Sequence, residues 1–492
     1  MTISKALNIS LSGLNANQAA LNVVSHNIAN MNTEGYVRQR VNFAEVRTRN
    51  VDGTVRGQIA SLSGVKIASI TTAANDYLNN YYRTQNATYQ GLLSDAETAA
   101  QVADLMDELK GTGLGDSLSE FFNAANALNQ NPTDYSLRIN YAEKAKAVAN
   151  KFNTMSKNIS NLKESKIGNG DSVESAEASQ IGTEVKKINS ALEQILAVNK
   201  QLSTRPDDAG LKTQRDQLLS EISSIANVTT SINPSGTVNV KIGDTDLITH
   251  CEIQNTLSIT ASGSILAVDE KGTSKDITAD IKSGTLGGTL SGMSAITKAA
   301  EAVDTLAAAF ADTMNEIQRY QNGDIKAASY DRANDRLVES TVDMFSSSDG
   351  NPINASNIVI NSTLYNNPDL IAAARVDTSE TNWEKSVGNG DNALEFYNAQ
   401  NKKIDALGHL NINDYLISIA TKTALDAGEK ANEADIQGSI VDGISNQILS
   451  ETGVNLDEEL TNMIIYQQAY NASARVFSAC VEVFDTLVSL GK

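Results

Sequence analysis

The stretch whose reading decides the fold is the last one, from Leu456-Asp457-Glu458-Glu459-Leu460 to Lys492. Apolar residues recur in it at alternating spacings of four and three. The series is Leu456, Leu460, Met463, Gln467, Tyr470, Ala474, Phe477, Val481, Phe484 and Val488, with Gln467 its plainly polar member. A 3.5-residue period held this long marks a helix that lies along another helix. Its start is encoded locally. Asn455 can cap it, and Glu458 stands where a capping box places its acid. Asp457, Glu458 and Glu459 put negative charge on the positive end of the helix dipole.

The first stretch carries the same period: Ile3, Leu7, Ser10, Leu14, Asn17, Leu21, Val24 and Ile28. Ser10 and Asn17 interrupt it, and polar residues buried in a seam fix register at some cost in stability. Spacing alone leaves two arrangements open. The ends pair as a coiled coil with everything else inserted between them, or they are two amphipathic surface helices on one globule.

A chain of 492 residues has room for three or four domains. Its net charge of -20 argues against nucleic acid and anionic membranes as partners, because both repel an acidic surface. There is no apolar run long enough to span a bilayer. Met1-Thr2-Ile3-Ser4-Lys5-Ala6 lacks the apolar core of a secretory signal, so no cleaved signal is expected. Cys251 and Cys480 are too few for a disulfide framework. Cys480, beside Val481, reads as a small packing residue.

Between the ends the chain reads as mainly α with inserted β. After Tyr36 an alternating stretch (Val41, Phe43, Val46, then Val55, Ile59, Val65, Ile67, Ile70) predicts an extended arm or β-ribbon turning at Asp52-Gly53. Residues 75–227, 285–321 and 393–453 carry helical stripes, broken at Gly111-Thr112-Gly113, Pro132, Gly168-Asn169-Gly170 and Pro206. Several long helices with short breaks make a bundle. Residues 228–284 and 322–392 are rich in turn and β-branched residues and predict an outer β-rich region. The first of these leaves and rejoins the bundle, so it reads as a removable insertion. The remaining division is 1–35 with 454–492 as a terminal coiled-coil domain and 36–74 as the arm.

No catalytic constellation emerges. His26, within the first helix, and His409, at a helix break, read as structural and surface residues. His250-Cys251 is the one nucleophile–base pair to consider, and adjacent strand residues would face opposite ways. Gly111-Thr112-Gly113-Leu114-Gly115 follows a helix, where a dinucleotide fingerprint would follow a strand. Asp244 with Asp246, and Asp331 with Asp335, lack EF-hand spacing. The reading is therefore no catalytic residue, no metal and no cofactor. A cell-wall hydrolase and a surface adhesin remain as other classes of function.

The stretch Ser25-His26-Asn27-Ile28-Ala29-Asn30-Met31-Asn32-Thr33-Glu34-Gly35-Tyr36 resembles the N-terminal signature of the bacterial flagellar rod, hook and hook-associated protein family. Ser450-Glu451-Thr452-Gly453-Val454-Asn455-Leu456-Asp457-Glu458-Glu459-Leu460, followed by Tyr466-Gln467-Gln468-Ala469-Tyr470, resembles the C-terminal one. Having both in order is more specific than either. Glu34 and His26 depart from the usual residues, proline or a small residue and asparagine. Arg215-Asp216-Gln217-Leu218-Leu219 and the glycine-rich run Gly284–Gly292 are similar to the exit from, and return to, the bundle of hook-associated members, rather than hook or distal-rod ones. The resemblance implies a structural subunit at the hook–filament junction that assembles through its terminal helices. It implies as partners the hook protein, a second junction protein, an export chaperone at the C-terminal segment and further copies in a ring. It also implies export through the flagellum's own channel.

Overall fold

A computed structural model describes residues 3–33, 36–48, 61–72, 76–107 and 113–490. The Asp52-Gly53 turn, Val55 and Ile59, signature residues Glu34 and Gly35, and the Gly111-Thr112 helix stop lie outside the described residues.

Helix α1 (Ile3–Ala29) leads into an antiparallel ribbon of β1 (Gln39–Thr48) and β2 (Ser61–Thr72). The ribbon does not extend as a free arm. Val65 N–H donates to Ser12 Oγ of α1 at 3.1 Å. The Phe43 ring meets that of Tyr466 with centroids 6.1 Å apart.

Then come α2 (Asp76–Asp107), α3 (Leu114–Gln130), α4 (Tyr135–Ile167), the short α5 (Val173–Ala178), α6 (Gln180–Thr204) and α7 (Ala209–Ile225). Local chemistry sets their ends. Asp134 caps α4 by accepting from Ser136 N and Leu137 N, and Gly168 ends it at φ 91°. Strands β3 (Val228–Ile232), β4 (Val238–Ile242), β5 (Thr245–Thr249) and β6 (Glu252–Ile253) make one sheet in sequence order. Strands β7 (Asn255–Ile259), β8 (Ile265–Asp269) and β9 (Ser274–Asp276) make another.

Helix α8 (Gly284–Gln318) returns along α2. A Cβ on Gly288 would lie 2.0 Å from the Gly91 carbonyl oxygen, so the glycine-rich return is a close crossing of two helix backbones. The second β piece holds β10 (Gln321–Asn322), β11 (Ile325–Asp331), β12 (Arg336–Glu339), β13 (Phe345–Ser347), β14 (Ile358–Ile360), the short helix α9 (Ser362–Asn366) and β15 (Ala374–Asp377). Helix α10 (Asp391–Asn398) follows, then α11 (Ile412–Thr452) and α12 (Leu456–Leu490). The 41 residues of α11 carry the chain about 60 Å back along α2, and α11 stops at Gly453.

Two large cores organise the middle of the chain. One joins α3, α4, α8, α10, β13 and β14. Its centre is aromatic: Phe121 stacks on Tyr141 at 4.8 Å, and Phe310 meets Phe345 at 5.1 Å. The other joins α6 and α7 to β3–β8. The two β pieces therefore do not merge: each completes a different helical face.

Strands are docked on helices by a repeated device. Asn189 Nδ2 donates to Leu257 O at 2.7 Å while its Oδ1 accepts from Leu257 N at 2.9 Å. Asn199 does the same with Val238, and Asn315 with Phe345. A primary amide presents one donor and one acceptor in the geometry of a peptide unit. Each asparagine thus acts as a stub of strand projecting from a helix.

The packing overturns the expectation that residues 228–284 can be removed. Val238, Val240, Leu247, Ile248 and Ile265 share one core with Ile181, Ile188, Ile195, Leu219 and Ile222 of the helices. Uncovering each of those aliphatic side chains costs about 1.5–3 kcal/mol, and the total exceeds the stability of an ordinary domain. Replacing residues 228–282 by a Gly/Ser linker should abolish cooperative melting of α6 and α7, measured by circular dichroism with hydrogen exchange.

Candidate assembly interface at the joined chain ends

Helices α1 and α12 run antiparallel. A Cβ on Gly13 would lie 3.0 Å from Ser473 Oγ, and in the first turn of α12 Glu459 is reached by the Asn27 side chain. Of the residues read as the seam, Val24 is buried and Ile3, Leu7, Leu14, Leu21 and Ile28 are half-buried. On α12, Met463, Tyr470, Phe477 and Val481 are half-buried, but Leu456, Leu460, Phe484 and Val488 are exposed. For Phe484 and Val488 the cause is geometric: helix α12 has 35 residues and α1 has 27, so the last turns of α12 overrun its partner. The most buried residues of α1 are Ser10, Ala16, Ala20, Val23, Val24 and Asn27, because α1 packs on β2 as well as on α12. A single heptad stripe describes one of those two contacts.

The two signatures meet in a buried polar cluster. Asn27 Nδ2 donates to Glu459 Oε2 at 3.1 Å and to Gln39 O at 2.9 Å, and Asn27 Oδ1 accepts from Gln39 N at 3.0 Å. Tyr36 Oη donates to the same Oδ1 at 2.7 Å. Arg38 Nε donates to Glu459 Oε1 at 2.7 Å, and Arg38 Nη1 to Glu458 Oε2 at 2.8 Å. The Arg38 backbone N–H donates to Thr452 O at 3.1 Å, fastening the end of α11. Asn27 and Glu459 are 1% exposed, so the carboxylate has left water almost completely. It persists because the guanidinium and the amide replace its hydration.

The remaining signature residues shape the approach to this cluster. Asn30 Nδ2 donates to His26 O at 2.9 Å, and Tyr36 N donates to Thr33 O at 3.1 Å. Ala29, Asn32 and Thr33 are exposed. His26 Nδ1 lies 2.9 Å from Tyr36 Oη. Asn455 caps α12 as read, accepting from Asp457 N at 2.9 Å. Glu458 does not close a capping box, because its carboxylate is drawn to Arg38. Asp457 is exposed. Burial, then the Glu459 charge, pushes the Tyr36 hydroxyl up to about 12. Hydrogen bonding to Arg38, then its charge, holds the Glu458 carboxyl below the ordinary range.

Arg38 is the residue that sequence reading missed. Its signal was the acidic run Asp457-Glu458-Glu459, fully accounted for by the helix dipole, which left no reason to search for a cation two positions after Tyr36. Arg215-Asp216-Gln217 also has a definite task. Arg215 Nη1 donates to Gly236 O at 2.7 Å, and Asp216 bridges Arg215 at 2.9 Å and Arg83 of α2 at 3.3 Å. The motif ties the exit helix to the first sheet and to the bundle.

The candidates for chemistry are dispersed. His250 and Cys251 are turn residues between β5 and β6, not strand neighbours, and His250 sits at φ 56°. Asp246 pairs with Lys241 at 3.0 Å. Asp331 is held by Asn334 and Arg336, and Asp335 accepts from Tyr330. Among the described residues, no group of three His, Cys, Asp or Glu is gathered as a metal site, and no helix is long and apolar enough to cross a membrane.

Comparison with known proteins finds the chain similar to proteins of the bacterial flagellum. Residues 7–36 match the family model described as flagella basal body rod protein, and residues 445–490 match the flagellar basal body rod FlgEFG protein C-terminal model. Residues 99–324 match the model for the flagellar hook-associated protein FlgK helical domain. The chain is 28% identical to flagellar hook-associated protein 1 of Bacillus subtilis, over 97% of this chain and 96% of that one. It is 25% identical to flagellar hook-associated protein 1 of Salmonella typhimurium, over 99% and 100%. The flagellar hook junction protein FlgK from Burkholderia pseudomallei shares the fold with a TM-score of 0.58 at 13% identity, over 75% of this chain and 99% of that one. Along nearly its whole length the chain is thus similar to proteins named flagellar hook-associated protein 1.

The cluster generates two expectations. Arg38→Ala strands a buried carboxylate, which costs about 3–5 kcal/mol. Hydrogen exchange in α1 and the first turns of α12 should accelerate accordingly, with the aromatic core unaffected. The Glu458 pKa is depressed on folding, so its contribution is present above the unfolded value of about 4.3 and is lost as pH falls through the folded one. The ends of the wild-type chain should therefore hold from neutral pH down to about 4.3 and loosen as pH falls below it, and Glu458→Gln should flatten this part of the exchange profile.

Proposed function

We propose that the chain is a structural subunit that joins the hook to the filament of the bacterial flagellum and assembles through its terminal helices. The observation that carries this reading is the outer face of α12. Ile464, Ile465, Val476, Val483 and Leu487 are each about half exposed, along a helix already clasped to α1. An apolar strip of this length on a chain of net charge -20 calls for a protein neighbour.

In this reading residues 1–35 and 454–492 form the assembling domain, carried by the bundle and the two β pieces. The neighbours are copies of the chain in a ring, the hook protein on one side and a second junction protein on the other. An export chaperone shields the C-terminal segment before assembly, and the chain leaves through the flagellar channel without losing a signal peptide. It turns over no substrate.

Phe477 separates assembly from folding. It is half-buried against α1, and Glu482 is exposed. Phe477→Glu removes about 1.5–3 kcal/mol of burial from the end pair and brings an unpaired charge into it. The bundle's melting midpoint should barely move, while electron microscopy of complemented mutant cells should show hooks without filaments and flagellin shed into the medium. Glu482→Lys should assemble. Normal filaments on Phe477→Glu cells would overturn the proposal.

A further inference from the structure

Helices α8 and α11 leave a groove over α2, at the opposite end of α11 from the clasp. It is floored by Ala99 and Val102 of α2, Ala295, Ala299 and Ala302 of α8, and Ile419 of α11, and its volume is about 320 Å³. Lys298 of α8 and Lys422 of α11 stand on its rim, both exposed. Among the described residues neither is paired with a carboxylate. Lys430, further along α11, is paired with Asp95 at 2.7 Å, and it also draws Asp426 at the groove's end, at 3.8 Å. On a chain of net charge -20, two unneutralised lysines over an apolar trough give that trough a local sign opposite to the rest of the surface.

We propose that this groove docks an acidic amphipathic helix of a partner protein, with its apolar edge on the alanine floor and its carboxylates on Lys298 and Lys422. The shape favours a helix. All three sides are helices, and the α11 side runs from Tyr415 to Asp426, about 16 Å or three turns. A helix of that length presents apolar anchors at i, i+3 or i+4, and i+7 to a trough, with acids on its flanks. The site lies about 40 Å along α11 from Thr452, so it is separate from the clasp and from the outer face of α12.

The test uses the full chain and a fluorescein-labelled synthetic helix of about fifteen residues, near the shortest that holds in isolation. The helix carries Leu and Ala on one face and Glu on the other, and a second copy has Lys for every Glu. Fluorescence anisotropy should show saturable binding of the Glu helix. Lys298→Glu with Lys422→Glu should weaken it at least about tenfold and should create binding of the Lys helix. Ala295→Phe, on the half-buried wall, should block both. Both lysines are exposed, so the fold should survive, and circular dichroism verifies this. If the double reversal unfolds the chain, Lys298→Gln and Lys422→Gln carry the same comparison. Binding of the Glu helix that ignores the lysines would overturn the proposal. So would no helix binding alongside lysine-dependent binding of decanoate, which would make the groove a site for small amphipathic anions.

Discussion

Everything at the chain ends depends on neutralising one buried carboxylate. Glu459 is 1% exposed, and an ion so placed is stable only if its partners replace water on nearly every side. They come from two segments far from it in sequence: Asn27 from α1, and Arg38 just before the ribbon, whose guanidinium also pairs with the neighbouring Glu458. None of them can be supplied locally, since Asn27 and Glu459 are 432 positions apart. The bundle must therefore already exist, with α11 laid back along α2, before the carboxylate can be enclosed. A contact of that sequence separation is reached late in folding, and the ends close on a scaffold that does not need them.

The same chemistry that closes the ends also fastens the sheets. Asn27 pairs with both the N–H and the C=O of Gln39, as Asn189, Asn199 and Asn315 pair with Leu257, Val238 and Phe345. A strand end that meets a helix has peptide groups which the helix backbone, already satisfied, cannot bond. A helical asparagine supplies what is missing. The cost is its poor helix propensity, recovered because the alternative is an unpaired peptide buried at the junction. The fold is thus a set of long helices with amide hooks, on which short β units hang.

This explains what was legible in the sequence. The stripes that built α2, α4, α6, α8, α11 and α12 could be read because their periods are set by burial on one face, which is local information. The breaks at Gly168 and Pro206 were equally local. Asn189, Asn199 and Asn315 could not be read, because an asparagine in a helix looks the same whether it meets water or a strand. Arg38 was hidden for the same reason, since its partners are distant in sequence and its acids had a sufficient local explanation. The ribbon was recognised as β but not as part of the end domain, because Ser12–Val65 and Phe43–Tyr466 are tertiary contacts between segments that each look complete. The two β pieces read alike in composition, yet they belong to different cores, since composition records turn chemistry and not the face it covers.

The distribution of side-chain size along the terminal pair completes the picture. Along the α1–α12 pair, small residues (Gly13 against Ser473, Ala16 and Ala20 buried on α1, Ala469 and Ala474 half-buried on α12) stand among half-buried large ones such as Leu14, Leu21, Tyr470 and Phe477. The large aliphatics Ile464, Ile465, Val476, Val483 and Leu487 point away. A coiled coil built only for its own stability keeps such branched residues inside. Apolar burial is worth about 25 cal/mol per Å², so the half-exposed aliphatics of α12 are surface that a neighbour covering the helix would gain by burying. The register of the ends is set by a polar cluster whose geometry is specific, while α12 keeps its largest aliphatic side chains on its outer face.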